Sequence, residues 1–445
     1  MSEQPSRPPM RRVVLATLAG SSLEWYDFFL YATASALVFN KVFFSAEDPA
    51  VGTLLAFGTF AVGFVARPIG SVIFGAIGDR FGRRPSLVGT LFLMGAATTA
   101  IGLVPSYATI GVAAPILLVV LRLLQGLGAG AELAGGVIVA TEYAAPERRG
   151  LYASMTFVGV YVGTLLSSLV FALVVMLPEP ALLSWGWRLP FLASFLLVAV
   201  GLYIRHRVPE TPEFVALEKA DDVSRAPLAD TLVKQWRSVL KVIGVVAAAF
   251  VVTYTYQAYA LSYIKTNLGI TGSLGTVSVA IASVVAIGVA IATGAASDRF
   301  GRKPVLIVAA TWAALWAFPF FWLVNTGSPI AIIVAMIGGV GLAGGACGAA
   351  QGPILAEMFN AQNRFTGFSV SREIGSILFS GLTPLIAAAL VAAASGASWP
   401  VSLYVVGAAL ITLITGLIIR ETAPRKTATR VPVLDGPAPA AAEQA

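Results

Sequence analysis

Glu24 and Asp27, Arg67, Arg122 and Glu132, and the adjacent pair Arg372 and Glu373 all lie inside long apolar stretches of the chain. An ionisable group at the centre of a bilayer costs about 3 kcal/mol on insertion scales, so such groups persist where they face water or a partner. Two chemistries suit them. A carboxylate can take up a proton on one side of a barrier and lose it on the other. A buried guanidinium can grip a carboxylate through two parallel hydrogen bonds. Glu24 and Asp27 are one helical turn apart and share a face, which Tyr31 continues. There is one histidine, His206, in a predicted polar loop, and one cysteine, Cys347. Proton movement within the apolar region therefore falls to the carboxylates. An internal disulfide and a cysteine metal cluster are excluded.

The elements that hold these groups are read from hydropathy. The chain has 445 residues, 57% hydrophobic and 11% charged, against about 25% charged in an ordinary soluble domain. Such a chain has too little polar surface to face water. A helix needs about 20 apolar residues to cross a bilayer, and twelve runs between residues 13 and 419 qualify. The expected fold class is an all-α membrane protein of twelve transmembrane helices. The formal net charge is +7, and its placement argues against a nucleic-acid partner. Lys41, Arg188 and Lys265 fall on one predicted side and Arg67, Arg122 and Arg372 within spans; every other Lys and Arg falls on the opposite side. Excess Lys and Arg mark cytoplasmic loops, so both termini are expected in the cytoplasm. The basic balance then reports topology and contact with anionic lipid headgroups. The first apolar run holds Glu24 and Asp27 and lacks a small-residue cleavage site, so no signal peptide is expected.

The chain is internally duplicated. Asp79-Arg80-Phe81-Gly82-Arg83-Arg84-Pro85 and Asp298-Arg299-Phe300-Gly301-Arg302-Lys303-Pro304 differ at one position and lie nearly half the chain apart. Glu142 and Arg149 after the fourth run recur, at the same spacing, as Glu357 and Arg364 after the tenth. Parallel repeats that meet around a midplane site are a transporter architecture. The expected division is a disordered tail 1–11, a six-helix bundle 12–204, a cytoplasmic linker 205–238, a second bundle 239–420 and a disordered tail 421–445.

The repeated loops resemble the signature of the major facilitator superfamily, and Arg122-Leu123-Leu124-Gln125-Gly126-Leu127-Gly128 resembles its helix-four motif. Glu24-Trp25-Tyr26-Asp27-Phe28, Arg67-Pro68-Ile69-Gly70, Gly130-Ala131-Glu132, Trp185-Gly186-Trp187-Arg188-Leu189-Pro190 and Pro209-Glu210-Thr211-Pro212 resemble the metabolite:proton symporter family within it. The resemblance covers roughly residues 12–420. It implies two pseudo-symmetric six-helix bundles and a multi-pass monomer in the cell membrane. It also implies alternating access driven by the proton gradient without a cofactor, with a small polar metabolite and protons as partners. The solutes carried by such relatives include shikimate, 2-oxoglutarate, citrate and other carboxylates. Zwitterionic osmolytes such as proline and glycine betaine are the alternative. An efflux antiporter is a further one, but the fifth run reads Gly159-Val160-Tyr161-Val162-Gly163-Thr164, without the Gly-Pro of drug antiporters. No hydrolytic, zinc or phosphate-loop constellation stands in the sequence, so an enzyme is not expected. A receptor that senses a ligand without moving it needs no more than the same shell.

The resemblance also assigns the loops a latching role. Asp79 would meet the start of span eleven and Asp298 the start of span five, while Arg83 and Arg302 pair with Glu142 and Glu357. A carboxylate is favoured at a helix N-terminus by its free N–H groups and the macrodipole. Gly78, Gly82 and Gly301 would permit tight turns, and Arg80, Arg299, Arg149 and Arg364 would complete the charged belt. Inside the membrane, Glu24 or Asp27 is expected to approach Arg122, as a coupling site or as a static helix pair. Arg67 and Arg122 are expected to clamp an organic anion beside Gln125, unless Arg67 is tied to Glu24 or Glu132. Glu132, in a glycine-rich stretch, is read as a proton site or a hydrogen-bond anchor. Arg372 and Glu373 are read as substrate contacts or as interfacial charges. Tyr256, Tyr259 and Tyr263 share a stripe at helical spacing, suited to a cavity wall or to packing.

Overall fold

The computed structural model describes residues 9–44, 49–81, 83–206, 228, 233–359 and 364–423. Most of the predicted tails and of the linker 205–238 lies outside these residues, as does Gly82. Among the described residues, ten helical segments are long and apolar enough to cross a membrane. The more polar helices Met10–Ala34 and Arg83–Ile101 cover the first and third predicted runs. In chain order the helices are α1 Met10–Ala34, carried on by a π-turn Ser35–Phe39 and a last turn Asn40–Val42, then α2 Pro49–Phe81, α3 Arg83–Ile101, α4 Ala113–Tyr143, α5 Arg149–Val174, α6 Arg188–His206, α7 Trp236–Thr266, α8 Leu274–Phe300, α9 Arg302–Asn325, α10 Pro329–Glu357, α11 Arg364–Ala393 and α12 Trp399–Ile418. Helices are what this composition must form, because each satisfies its own backbone hydrogen bonds where lipid offers none. Helices α1–α6 and α7–α12 form two six-helix bundles, and α5 and α8 pack along the seam between them.

Small residues set how closely the helices cross. An added Cβ on Gly126 of α4 would run into the carbonyl of Gly63 in α2, and one on Gly130 into that of Arg67. Gly159 and Gly163 hold α5 against the backbone of α1 at Leu18 and Ser22 in the same way. Close backbone approach replaces the hydrophobic drive that lipid removes. The outward faces keep large apolar side chains such as Phe195, Leu315, Trp322 and Ile330 exposed to lipid.

Several membrane helices are irregular where the two bundles face one another. π-turns widen α1 at Ser35–Phe39, α7 at Thr255–Tyr259, α10 at Ile337–Gly344 and α11 at Ile377–Gly381. Helix α4 is interrupted at Gly130 and Ala131 and restarts at Glu132. Irregular backbone at membrane depth is tolerated where protein surrounds it, and π-turns gather at functional sites. The bundles touch at three depths. Asp298 of α8 reaches the start of α5 on the face where α12 ends, Arg67 of α2 meets Glu373 of α11 in the middle, and Lys265 of α7 donates to the carbonyl of Leu37 in α1 at the opposite face.

Candidate functional site

The central charges form two groups. In the first, Arg67 donates from Nε to Glu373 Oε2 at 2.6 Å and from Nη2 to Glu373 Oε1 at 3.2 Å. Its Nη2 also donates to Glu24 Oε1 at 2.9 Å. Arg372 Nη1 donates to Glu373 Oε1 at 2.6 Å, and Ser376 donates to Oε2 at 3.0 Å. Two cations and two anions thus cancel, as charges withdrawn from water must. All four side chains are within 2% of full burial.

Arg122 of α4 stands apart from this balance. Its guanidinium lies 4.0 Å from the ring centroid of Tyr31, 4.7 Å from Phe28 and 4.9 Å from Phe60. Aromatic faces attract a cation, and more strongly once it is desolvated. Nη1 donates to Gln125 Oε1. Nε and Nη2, the edge that grips a carboxylate side-on, have no hydrogen-bond partner, and the residue is fully buried. Phe28 separates the two groups, with Arg67 at 4.8 Å from the same ring.

The expectation that Glu24 or Asp27 pairs with Arg122 is corrected. Among the described residues no ion pair joins either acid to it; Glu24 goes to Arg67 instead. Asp27 accepts from Thr98 Oγ1 at 2.9 Å and from Ser194 Oγ at 3.0 Å. Gln125 Nε2 donates to Thr98 Oγ1 at 2.7 Å. Asp27 and Arg122 are therefore linked through two intervening side chains, Thr98 and Gln125. The Arg67–Arg122 clamp is corrected too: Arg67 spends its side-on edge on Glu373, so of the two only Arg122 has that edge open. Arg372 and Glu373 are neither interfacial charges nor free side chains, because Glu373 is the acid that neutralises Arg67 across the bundle interface.

Of the two surrounds open to these charges, water or a partner, the structure supplies partners and aromatic packing. Trp25, Phe29, Phe60, Phe64 and Tyr254 form a continuous set of ring contacts against α1 and α2, and Glu24, Asp27, Arg67 and Arg122 are each no more than 2% exposed. Tyr254, outside the predicted stripe, brings α7 to the site, and its hydroxyl is buried without a partner. Tyr256 stacks on Phe320 of α9 at 3.9 Å, within its own bundle, and Tyr259 contacts Tyr263 at 6.1 Å. The π-turn at Thr255–Tyr259 rotates the register between Tyr254 and the later tyrosines, which regular helical spacing does not anticipate. Tyr31 donates to Thr59 Oγ1 at 2.8 Å. Glu132 accepts from Thr90 at 3.2 Å at the restart of α4. Thr98 and Ser194 went unnoticed in sequence because a lone hydroxyl in an apolar run carries no pattern.

The loop residues assemble at the α12 end of the structure. Asp298 Oδ1 and Oδ2 accept from the backbone N–H groups of Gly150 and Leu151, both at 2.8 Å, at the N-terminus of α5. Arg302 Nη1 donates to Asp298 at 2.7 Å and Nη2 to Glu357 at 3.2 Å. Gly301 has φ +105°, a conformation that favours glycine. Arg299 lies over Phe300 at 5.3 Å. Glu142 lies 3.9 Å from Arg364, which joins the bundles a second time at this face. Arg149 precedes the Asp298 cradle, and its Nε has no partner. Gly78, Asp79 and Arg80 close α2 and Arg83 opens α3 as backbone; their side chains, and the proposed Asp79 and Arg83 contacts, lie outside what is described.

The comparisons with known proteins agree with this architecture. The shikimate transporter of Escherichia coli is 38% identical over 416 residues, covering 93% of this chain and 95% of its own. The inner membrane metabolite transport protein YhjE of the same organism is 37% identical over 92% of this chain and 94% of its own. The proline/betaine transporter of Salmonella typhimurium is 35% identical over 98% of this chain and 87% of its own. Among solved structures, the partially occluded inward-open xylose transporter XylE from E. coli superposes with a TM-score of 0.70 at 21% identity, covering 93% of this chain and 98% of that one. The family described as "Sugar (and other) transporter" matches residues 13–429. With its helical bundles and these relatives, the chain belongs to the sugar (and other) transporter family of the major facilitator superfamily and is a multi-pass membrane transporter, not an enzyme.

Proposed function

We propose that this transporter takes up a small organic acid together with protons by alternating access, driven by the proton gradient without a cofactor, as a monomer surrounded by lipid with both termini in the cytoplasm. The observation that carries this reading is Arg122: a buried guanidinium whose Nε and Nη2 have no partner. Leaving such donors unmet is costly. Glu373 occupies the same edge of Arg67 with both carboxylate oxygens. A substrate carboxylate on Arg122 would repeat that geometry.

Asp27 supplies the proton site. Thr98 has one hydroxyl hydrogen and two acceptors for it, Asp27 Oδ2 at 2.9 Å and the Met94 carbonyl at 3.0 Å. When Asp27 is ionised, Thr98 donates to it. When Asp27 carries a proton, that proton can point at Thr98 while the hydroxyl turns to Met94. Gln125 bonds Thr98 on one side and Arg122 on the other, so anion occupancy and proton occupancy share one chain of side chains. Asp298 of α8, docked on the start of α5, is the contact that holds the cytoplasmic face shut until the halves rock.

The relatives' names make shikimate-like carboxylates the first solutes to try. The ring set of Trp25, Phe29, Phe60, Phe64 and Tyr254 favours a second reading, a zwitterionic osmolyte whose quaternary ammonium rests on those faces. Proteoliposomes with an imposed pH gradient separate them. Concentrative uptake of shikimate, 2-oxoglutarate or citrate that Arg122→Gln removes supports the organic-acid reading. Uptake confined to proline or glycine betaine, or acid uptake undiminished in Arg122→Gln, overturns it.

A further inference from the structure

On the face opposite the α12 end, a cavity of about 360 Å³ opens between the two bundles. Its size falls in the range of small-molecule sites. It is separate from Arg122 and plays no part in the reading above. The walls are largely apolar, with Leu37, Leu261 and Ile270 among them, and three charged side chains reach in: Lys41, Glu179 and Lys265. Lys41 extends α1 and Lys265 ends α7, so each bundle contributes one ammonium. The sequence assigns only Lys41, Arg188 and Lys265 as basic residues to this side. Arg188 donates to the carbonyls of Gly102 and Val104, at 2.9 and 2.6 Å, and so is committed elsewhere. Both remaining cations converge on one cavity.

Their present partners leave capacity over. Lys265 donates to the Leu37 carbonyl at 2.6 Å, inside the π-turn of α1, and an ammonium has three donors. Its charged neighbours are Lys41 and Glu179. Lys41 is paired with Glu179, and both side chains are substantially exposed, at 47% and 63%. An exposed ion pair of this kind holds weakly and exchanges readily. A cavity with two cations, one loosely held anion and hydrocarbon walls suits one class of ligand.

We propose that this cavity is a peripheral binding site for a small monocarboxylate with an apolar body, whose carboxylate displaces Glu179 and bridges Lys41 to Lys265. Because the bridge spans both bundles, the bound anion holds this face closed. The proposal does not depend on which solute is carried.

The test uses the full chain in phosphatidylcholine nanodiscs and cyclohexanecarboxylate as the probe, with cyclohexylmethanol as its neutral counterpart. Binding is read by ligand-observed NMR. All variants are made on Arg122→Gln, so that binding at the central arginine does not contribute. The carboxylate should bind Arg122→Gln protein, at least about tenfold better than the alcohol. Lys41→Gln and Lys265→Gln should each weaken it several-fold, and the double substitution should abolish it in protein that still melts cooperatively. Glu179→Gln should tighten it. Raising salt should weaken it, as expected for half-exposed charges. If Arg122→Gln alone removes all carboxylate binding, or if the single and double lysine variants bind as Arg122→Gln does, the proposal is overturned. Equal binding of alcohol and carboxylate overturns it as well, since the cavity would then be only a greasy cleft. Should the double variant fail to fold, the two single variants decide.

Discussion

Arg67 and Glu373 meet across the bundle interface in two hydrogen bonds, 2.6 Å from Nε to Oε2 and 3.2 Å from Nη2 to Oε1, both side chains almost wholly buried. One belongs to α2 and the other to α11, so the bond joins the two halves. Its surroundings are balanced: Glu24 and Arg372 supply one further charge of each sign. A buried pair is weak evidence of stabilisation, but breaking one side of it is costly, on the order of 3–5 kcal/mol. The pair therefore behaves as a clasp that is safe when made and expensive when half-made.

This gives a double-substitution prediction. Glu373→Met leaves Arg67 and Arg372 facing Glu24 alone, and Arg67→Met leaves two acids facing one arginine. Each single variant should lower the melting temperature markedly. Arg67→Met with Glu373→Met keeps the site neutral, through Glu24 and Arg372, and should recover most of that loss. A coupling energy near zero in the cycle would show that the clasp contributes nothing to the closed state.

How far the site was legible follows from the same pair. Apolar runs and the duplicated Asp-Arg-Phe-Gly-Arg loops were enough to anticipate the helices and the two bundles, because lipid leaves a chain few other ways to satisfy its backbone. Glu24, Asp27, Arg67, Arg122, Glu132, Arg372 and Glu373 stood out as costly charges. Which acid meets which arginine did not, since Arg67 and Glu373 are 306 positions apart and belong to different halves. Helical spacing describes neighbours on one helix, not partners on another. Tyr254 lies outside the stripe read at Tyr256, Tyr259 and Tyr263, from which a π-turn separates it, and Thr98 and Ser194 carry no pattern as single hydroxyls. Gly150 left no signal either, although its missing side chain is what admits Asp298.

A second prediction concerns Asp27. Its carboxylate is held by two hydroxyls and has no cation at ion-pair distance among the described residues. Asp27→Asn keeps the shape and one acceptor but removes the titrating proton. Substrate counterflow across equal pH should continue within about threefold of the parent. Accumulation driven by an inward pH gradient should fall at least about tenfold, the loss expected when one coupling equilibrium of about 1.4 kcal/mol or more is removed. Undiminished accumulation in this variant would move the proton site elsewhere, with Glu24 and Glu132 the other fully buried acids among the described residues of the first bundle.

The third concerns Gly150 and Asp298. An added Cβ on Gly150 would stand 2.7 Å from Asp298 Oδ1 and 2.6 Å from Arg302 Nη1. Gly150→Ala should therefore push the carboxylate off the two N–H groups at the start of α5 without touching any charge. Asp298→Asn keeps the shape and removes the charge instead. A carboxylate at a helix N-terminus contributes about 0.3–1 kcal/mol, more when partly buried, so each change should raise the open population at this face a few-fold. Ser154 lies behind the contact, against Gly294 of α8. With the buried Cys347 replaced by alanine, maleimide labelling of Ser154→Cys should accelerate in both variants, and saturating substrate should not be needed to see it. Equal labelling rates in all three proteins would mean that Asp298 merely decorates a joint that the packing of α5 on α8 keeps closed. Faster labelling in Gly150→Ala but not in Asp298→Asn would assign the hold to shape and not to charge.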